Sequence, residues 1–217
     1  MNTEQARFNM IEQQIRTWEV LDQSVLSLLA IVKREDFVPP AHRALAFVDT
    51  EVPLPGGQCM LSPKLEARLL QDLAVQRHEQ VLEVGAGSGH MAALLAHKGQ
   101  QVTTLEILPE LVAMATDNLR RARVTNARVM KADGSHGLPE VAPFDVILLS
   151  GSVASVPQLL LDQLNIGGRL AAIVGFEPIM RATLVTRVGE REFSSTERFD
   201  TVAPRLVGFH EPTRFSF

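Results

Sequence analysis

Two hydrophobic patterns divide the chain. Up to about residue 75, apolar positions recur at helical spacing; beyond it, short continuous apolar runs alternate with helical ones. Phe8, Ile11 and Ile15 fall at i, i+3 and i+7 and predict an amphipathic helix over residues 4–17. Asp22 stands where an N-cap would, ahead of Val25, Leu26, Leu28 and Leu29 as the inward face of a second helix. Pro39 and Pro40 end that segment, since two prolines cannot continue a helix. Residues 41–60, with Pro53-Leu54-Pro55-Gly56-Gly57, predict irregular chain. Ser62-Pro63 pairs a cap residue with proline at the first helical position and opens a helix to about Leu73.

From there strands and helices alternate. Strands are predicted at Val81–Val84, Gln101–Glu106, Ala127–Lys131, Phe144–Leu149 and Leu170–Val174, and helices at 91–98, 109–122 and Val156–Leu164. Phe144-Asp145-Val146-Ile147-Leu148-Leu149 is the near-continuous run of a strand buried on both faces. The alternation predicts an α/β fold, Rossmann-like and doubly wound around a mostly parallel sheet. Thr183–Val188 and Val202–Phe209 flank a polar turn at Gly189-Glu190-Arg191 and predict an antiparallel pair at the end of that sheet. With no repeat or linker, the expectation is one domain over 1–217, in which 1–75 form a helical cap and loop and 76–217 the sheet core.

Composition narrows the setting. A net charge of −4 with no basic block argues against a nucleic-acid partner. A single cysteine, Cys59, allows no intrachain disulfide and fits a reducing compartment. The first residues lack the apolar core of a signal peptide. No run of about 18 apolar residues predicts a membrane span. The expectation is a cytoplasmic protein with no membrane partner, and the sequence leaves monomer or dimer open. No cluster of His, Cys and carboxylates has metal-ligand spacing, so no metal is expected.

The chemistry concentrates where the second pattern begins. Val81-Leu82-Glu83-Val84-Gly85-Ala86-Gly87-Ser88-Gly89-His90 reads as a buried strand, a glycine turn and the start of a helix. Glycines at every second position leave one face of the turn bare, so backbone can approach a ligand closely. The helix that follows offers unpaired N–H groups and the positive end of its dipole. Glu106, followed by Ile107, stands where doubly wound folds place an acid on ribose hydroxyls. A dinucleotide site favours G-x-G-x-x-G; here the spacing is Gly85-x-Gly87-x-Gly89, and Glu83 would sit badly beside a pyrophosphate. Asp133-Gly134, after the third strand, adds an acceptor where an adenine would lie. Acids at three successive strand ends suit S-adenosylmethionine, which is cationic and carries no phosphate. The candidate cofactor-binding set is Glu83, Gly85, Ala86, Gly87, Ser88, Gly89, Glu106, Ile107, Asp133 and Gly134.

This arrangement resembles the class I S-adenosylmethionine-dependent methyltransferases. Met10-Ile11-Glu12-Gln13-Gln14-Ile15-Arg16, Arg34-Glu35-Asp36-Phe37-Val38-Pro39 and Pro53-Leu54-Pro55-Gly56-Gly57-Gln58 are similar to the N-terminal blocks of the protein-L-isoaspartate O-methyltransferase family. Val81–Leu95, Phe144-Asp145-Val146-Ile147, Gln163–Leu170 and Val174-Gly175 are similar to its later blocks, in the family's order. The resemblance implies a seven-stranded sheet with an antiparallel C-terminal strand. It implies S-adenosylmethionine as donor, S-adenosylhomocysteine as product, and a carboxylate of isoaspartyl residues in damaged proteins as acceptor, a protein-repair reaction. Gly57, Gln58, Cys59 and Leu61 would form the substrate loop. A carboxylate with a pKa near ~4 is already ionised at neutral pH, so no general base is needed. Catalysis would rest on proximity, alignment and desolvation.

The chain departs from the family at two places on the substrate side. The family reads G-Q-T-I-S-x-P where this chain reads Gly57-Gln58-Cys59-Met60-Leu61-Ser62-Pro63. Cys59 takes the threonine position and Leu61 the serine position. Ser62, one place later, has two readings: a shifted catalytic serine, or the N-cap of the next helix. Ser150-Gly151-Ser152-Val153-Ala154-Ser155 replaces an alanine-rich stretch. Three functions therefore stay open: an isoaspartyl methyltransferase, a methyltransferase of the same fold with another acceptor, and a cofactor-binding protein without catalysis. Glu83 and the glycine spacing disfavour an NAD-dependent oxidoreductase. His90 and His136 read as rim or loop residues and Cys59 as a small apolar filler. Trp18 reads either as an anchor of the cap over the loop or as ordinary packing.

Overall fold

In the computed structural model, which describes residues 2–212, side-chain caps set the first helices. Asn2 accepts from the N–H groups of Glu4 and Gln5, and Asp22 from that of Ser24. They open α1 (Thr3–Asn9) and α2 (Gln23–Ile31). After α1 the chain continues as a π-helical stretch, Met10–Ile15, and a 3-10 turn, Arg16–Trp18. Phe8, expected on the inward face, is 58% exposed. The wider π turn moves the buried stripe to Met10, Ile11 and Ile15. α2 buries Val25, Leu26, Leu28 and Leu29, as its spacing predicts. Residues 40–47 wind as a 3-10 helix, and β1 (Val52–Pro53) pairs antiparallel with β2 (Cys59–Met60) across the glycine-rich loop. α3 (Pro63–Leu73) begins at its proline.

Seven further strands form one sheet: β3 (Gln80–Val84), β4 (Gln101–Glu106), β5 (Ala127–Lys131), β6 (Phe144–Val153), β7 (Leu164–Phe176), β8 (Ile179–Arg187) and β9 (Phe193–Thr201). Their order is β5-β4-β3-β6-β7-β8-β9. Pairing is parallel from β5 to β7, and β8 runs antiparallel to both β7 and β9. The chain works outward from β3 to β5, then returns to lay β6 on the other side of β3. That reversal opens a crevice at the carboxyl ends of β3 and β6, where open α/β sheets bind ligands.

Alternation along the strands sends side chains to two cores. Val81, Val102, Val146 and Leu148 pack with the N-terminal helices and with α3, α4 (His90–Lys98) and α5 (Pro109–Arg121). Leu82, Val84, Ile147 and Leu149 pack on the opposite face. That face is thinly covered, by a 3-10 turn at Gly134–His136 and the short α6 (Gln158–Leu161).

Three expectations about the second half need correction. The helix expected over Val156–Leu164 shrinks to four residues, because Leu164 already pairs with Phe144 and starts β7. The strand expected to end at Leu149 runs to Val153, across an irregularity in its pairing with β7. The last strand is Phe193–Thr201 rather than Val202–Phe209. Its exposed polar residues carry no alternation, as suits an edge strand wet on both sides. Residues 202–209 instead cross back over the sheet's carboxyl edge: Ser152 N–H donates to Pro204 at 2.8 Å, and Leu206 N–H donates to Ser152 at 3.0 Å.

Candidate active site

The site starts from β3, whose end turns sharply at Gly85. Gly85, Gly87 and Gly89 have φ of 94°, 52° and 82°, a region strained for any side chain. The N–H groups of Gly85 and Ala86 both donate to the carbonyl of Leu105, at 2.9 and 3.2 Å, which folds the turn over the end of β4. Asn118, buried on α5, donates to the Ser88 carbonyl at 2.8 Å and pins the far side.

Two carboxyl groups stand at the crevice in different states. Glu106 accepts from Gly87 N–H at 3.0 Å, Ile107 N–H at 2.9 Å and Leu108 N–H at 3.0 Å, so both its oxygens are tied to backbone. Glu83 is fully buried; Ser150 donates to its Oε1 at 2.7 Å, and Oε2 meets no partner. Thr104 stands beside Glu83 as its register partner, but only Ser150 hydrogen-bonds it in good geometry. Burial pushes the Glu83 carboxyl up to about 8, against the pull of the Thr104 and Ser150 hydroxyls. In the ligand-free protein Glu83 is therefore held toward its neutral form, with one oxygen unpartnered; a bound cation would draw it back toward the carboxylate.

The third acid is placed differently. Asp133 accepts from Ser135 N–H at 2.9 Å and caps the 3-10 turn, outside the lining of the crevice. Gly134 does line it, and a side chain there would collide with Val84.

The crevice is a cleft of about 500 Å³, with Gln58, Cys59, Gly85, Gly87, Glu106, Ile107, Gly134 and Ser150 in its wall. Behind it lies a pocket of about 280 Å³ that includes Leu61, Glu66, Glu83, Ala86, Ser88 and His90. Cys59, Gly85, Gly87 and Ser150 border both. Among the described residues no Lys or Arg lines either space, while carboxyl groups do. A pyrophosphate would meet Glu106 and the Glu83 carboxyl with no compensating cation. A cationic, phosphate-free nucleoside fits the same wall, and the bare glycine turn leaves room for it.

The loop expected at the substrate side is only partly turned inward. Gln58, Cys59 and Leu61 reach the cleft or the pocket behind it. Gly57 does not line them, and Gly89 serves as the N-cap of α4. Ser62, read either as a shifted catalytic serine or as the N-cap of the next helix, faces elsewhere. Neighbouring residues of an extended segment point to opposite sides, so with Leu61 inward Ser62 opens onto an outer groove beside Trp18, Lys64, Arg68 and Phe199. It holds the N-cap conformation of α3, but its side chain makes no capping hydrogen bond. The Trp18 ring is 54% exposed and carries the Lys64 ammonium 4.0 Å from its centroid, so it supports α3 rather than covering the cleft. Burial, then the charge of Glu51, pushes the Cys59 thiol up to about 12, which leaves it unreactive at neutral pH. His136 is exposed, whereas His90 is buried in the inner pocket's wall.

Several site residues carry no plain signal in the sequence. Ser150 follows the predicted end of its strand, and Leu206 and Val207 fall in a predicted strand; the latter two close one side of the cleft. Glu66 carried a readable signal. It occupies the first place of the stripe Glu66, Leu69, Leu70, Leu73 on α3, an acid on an apolar face.

Comparison with known proteins agrees with this geometry. Residues 5–202 match the family model of protein-L-isoaspartate(D-aspartate) O-methyltransferase (PCMT). A protein-L-isoaspartate O-methyltransferase of Koribacter versatilis is 38% identical over 202 residues, covering 93% of this chain and 90% of the relative. One from Methanoculleus marisnigri is 40% identical over 169 residues, covering 78% of this chain and 77% of the relative. A protein-L-isoaspartate O-methyltransferase from Plasmodium falciparum, solved in complex with S-adenosyl-L-homocysteine, shares the fold with a TM-score of 0.80 at 19% identity, over 91% of this chain and 96% of that one. The matched stretch takes in residues 57–61, the glycine turn and every strand of the sheet, and on that footing the chain belongs to the protein-L-isoaspartate(D-aspartate) O-methyltransferase family.

Proposed function

We propose that the chain transfers a methyl group from S-adenosylmethionine to a carboxylate of isoaspartyl or D-aspartyl residues in damaged proteins. The observation that carries this reading is the family match over residues 5–202, which includes both the acceptor loop and the donor turn. S-adenosylmethionine supplies an electrophilic methyl group on a positively charged sulfur. The backbone of Gly85, Ala86, Gly87, Ser88 and Gly89 would cradle the donor, and Glu106 would exchange its backbone partners for ribose hydroxyls. Glu83 would answer the positive charge, and Ile107, Asp133 and Gly134 would flank the adenine. The acceptor carboxylate arrives ionised, so the chain's task is to orient it and exclude water. Gln58, Cys59 and Leu61 border the space where it would lie.

A core shared by the N-terminal helices and one sheet face supports reading residues 1–217 as a single methyltransferase domain. The single cysteine supports a cytoplasmic setting. Among the described residues, no helix is long and apolar enough to cross a membrane.

One observation favours a second reading, a methyltransferase of the same fold with a different acceptor. Leu61 presents an apolar side chain where the family has a hydrogen-bonding serine. Methyl transfer to an isoaspartyl peptide, measured for wild type and Leu61→Ser, separates the two. Expected is weak wild-type activity, a gain in Leu61→Ser, and equal S-adenosylhomocysteine binding in both. Strong wild-type activity that Leu61→Ser does not exceed would show that the serine is dispensable; no activity in either would overturn the isoaspartyl reading.

A further inference from the structure

The wall of the inner pocket holds a buried charge cluster that neither the donor nor the acceptor role uses. Arg34, in a 3-10 turn at Arg34–Asp36, is 2% exposed. Its Nη2 donates to the Leu61 carbonyl at 2.7 Å, and its Nη1 forms a buried ion pair with Glu66 Oε2. The same Glu66 oxygen lies 2.9 Å from Nδ1 of His90. Burial works against ionisation of Glu66, but Arg34 and His90 outweigh it and hold the carboxyl below its ordinary range. An ionised carboxylate cannot donate, so the proton between them sits on Nδ1. The ring stands edge-on to Phe37, with centroids 5.2 Å apart, and Nε2 is buried without a partner. The polar hold on the ring therefore runs through Nδ1 alone.

The two ends of this chain of contacts are the two halves of the site. His90 is the first residue of α4, directly after the glycine turn, and Leu61 belongs to the substrate loop. The β1–β2 pairing covers two residues on each strand and stops before Leu61. We propose that His90 is a positioning residue for methyl transfer: through Glu66 and Arg34 it holds the substrate-loop backbone at Leu61 in register with the donor turn. The proposal rests on the methyltransferase reading above. Displacing a reacting group by about 1 Å costs on the order of 100-fold in rate, so a loop held at one carbonyl is a sensitive point.

The test compares three variants of the full chain. His90→Asn keeps an N–H near Nδ1, His90→Gln places its amide nearer Nε2, and His90→Leu keeps neither. Amide hydrogen exchange over residues 59–62, S-adenosylhomocysteine binding by calorimetry, and KM and kcat for an isoaspartyl peptide are measured on each. His90→Leu and His90→Gln are expected to raise exchange at 59–62 and the peptide KM by about tenfold, with S-adenosylhomocysteine affinity within about twofold. His90→Asn is expected to return both to near the wild-type values. Unchanged exchange in His90→Leu, rescue by Gln but not Asn, or an equal loss of S-adenosylhomocysteine binding in all three would overturn the proposal. If His90→Leu does not fold, the Asn and Gln variants still decide it. A peptide methylated by neither wild type nor Leu61→Ser overturns the acceptor reading, while the exchange pattern still decides the clamp.

Discussion

The glycine turn and the loop over residues 57–61 border one cleft but are built by different means. The turn continues a strand paired on both sides, and its shape comes from backbone: three positive-φ glycines, two N–H bonds to Leu105, and a carboxylate that accepts from Gly87. The loop rests on a hairpin of two residue pairs and is held from outside by side chains. Arg34 grips the Leu61 carbonyl, and Asp49 accepts from the Lys64 N–H at 3.3 Å and pairs with its ammonium at 3.0 Å. A turn made of backbone is encoded by the residues that form it. A loop held by distant side chains is encoded by residues far away in the chain. Damage to the turn should therefore act on ligand binding, whereas damage to the loop's supports should act on stability and acceptor placement.

The largest expected effect attacks the loop's support. Arg34→Met leaves Glu66 buried beside an uncharged neighbour and should cost about 3–5 kcal/mol in chemical denaturation. A loss below about 1 kcal/mol would mean that the loop does not depend on this pair. Next comes the donor side. Gly134→Ala drives a methyl group into Val84 and should cost about 1–3 kcal/mol, together with a clear loss of S-adenosylhomocysteine affinity. Wild-type affinity in a folded Gly134→Ala protein would show that the turn tolerates the shift.

Glu83 gives a subtler, pH-dependent contrast. Its folded value of about 8 lies above the ordinary 4.5, so folding takes up a proton between those values. The stabilisation tied to that proton is complete below about 4.5 and is lost as pH rises through about 8. Melting temperatures from pH 5 to 9 should therefore fall for wild type relative to Glu83→Gln in the ligand-free protein. Parallel curves would show that Glu83 is ionised throughout. The smallest effect is expected at Ser62→Ala: stability within about 0.5 kcal/mol and peptide methylation within about twofold, because Ser62 faces the outer groove. A tenfold or greater loss of methylation would restore Ser62 to the cleft and erase the contrast between the two loop positions.

Most of the sheet and nearly all of the donor turn were legible in the chain. Gln101–Glu106 and Ala127–Lys131 are strands with the predicted bounds, because a short segment between two helical stretches of a strand–helix alternation leaves few alternatives. The end of the sheet was harder. β9 exposes both faces and shows no alternation, while Val202–Phe209 has a strand-like composition but spends it on covering the cleft with Leu206 and Val207. Three acids stood out at strand ends, yet one of them, Asp133, caps a turn beside the cleft. From sequence His90 reads as a rim residue, because its partners, Glu66 and Arg34, lie 24 and 56 positions away.

The sequence by itself determined the sheet core, the glycine turn and the acids Glu83 and Glu106 at its edge. Burial periodicity and the φ demands of glycine are local constraints, visible to anyone who reads neighbouring residues. Tertiary structure decided that Leu61 faces inward and Ser62 outward, that the tail closes the cleft, and that Arg34, Glu66 and His90 meet behind the loop. Those outcomes depend on packing between distant segments, where one charged side chain finds its partner only after the sheet and helices have brought them together.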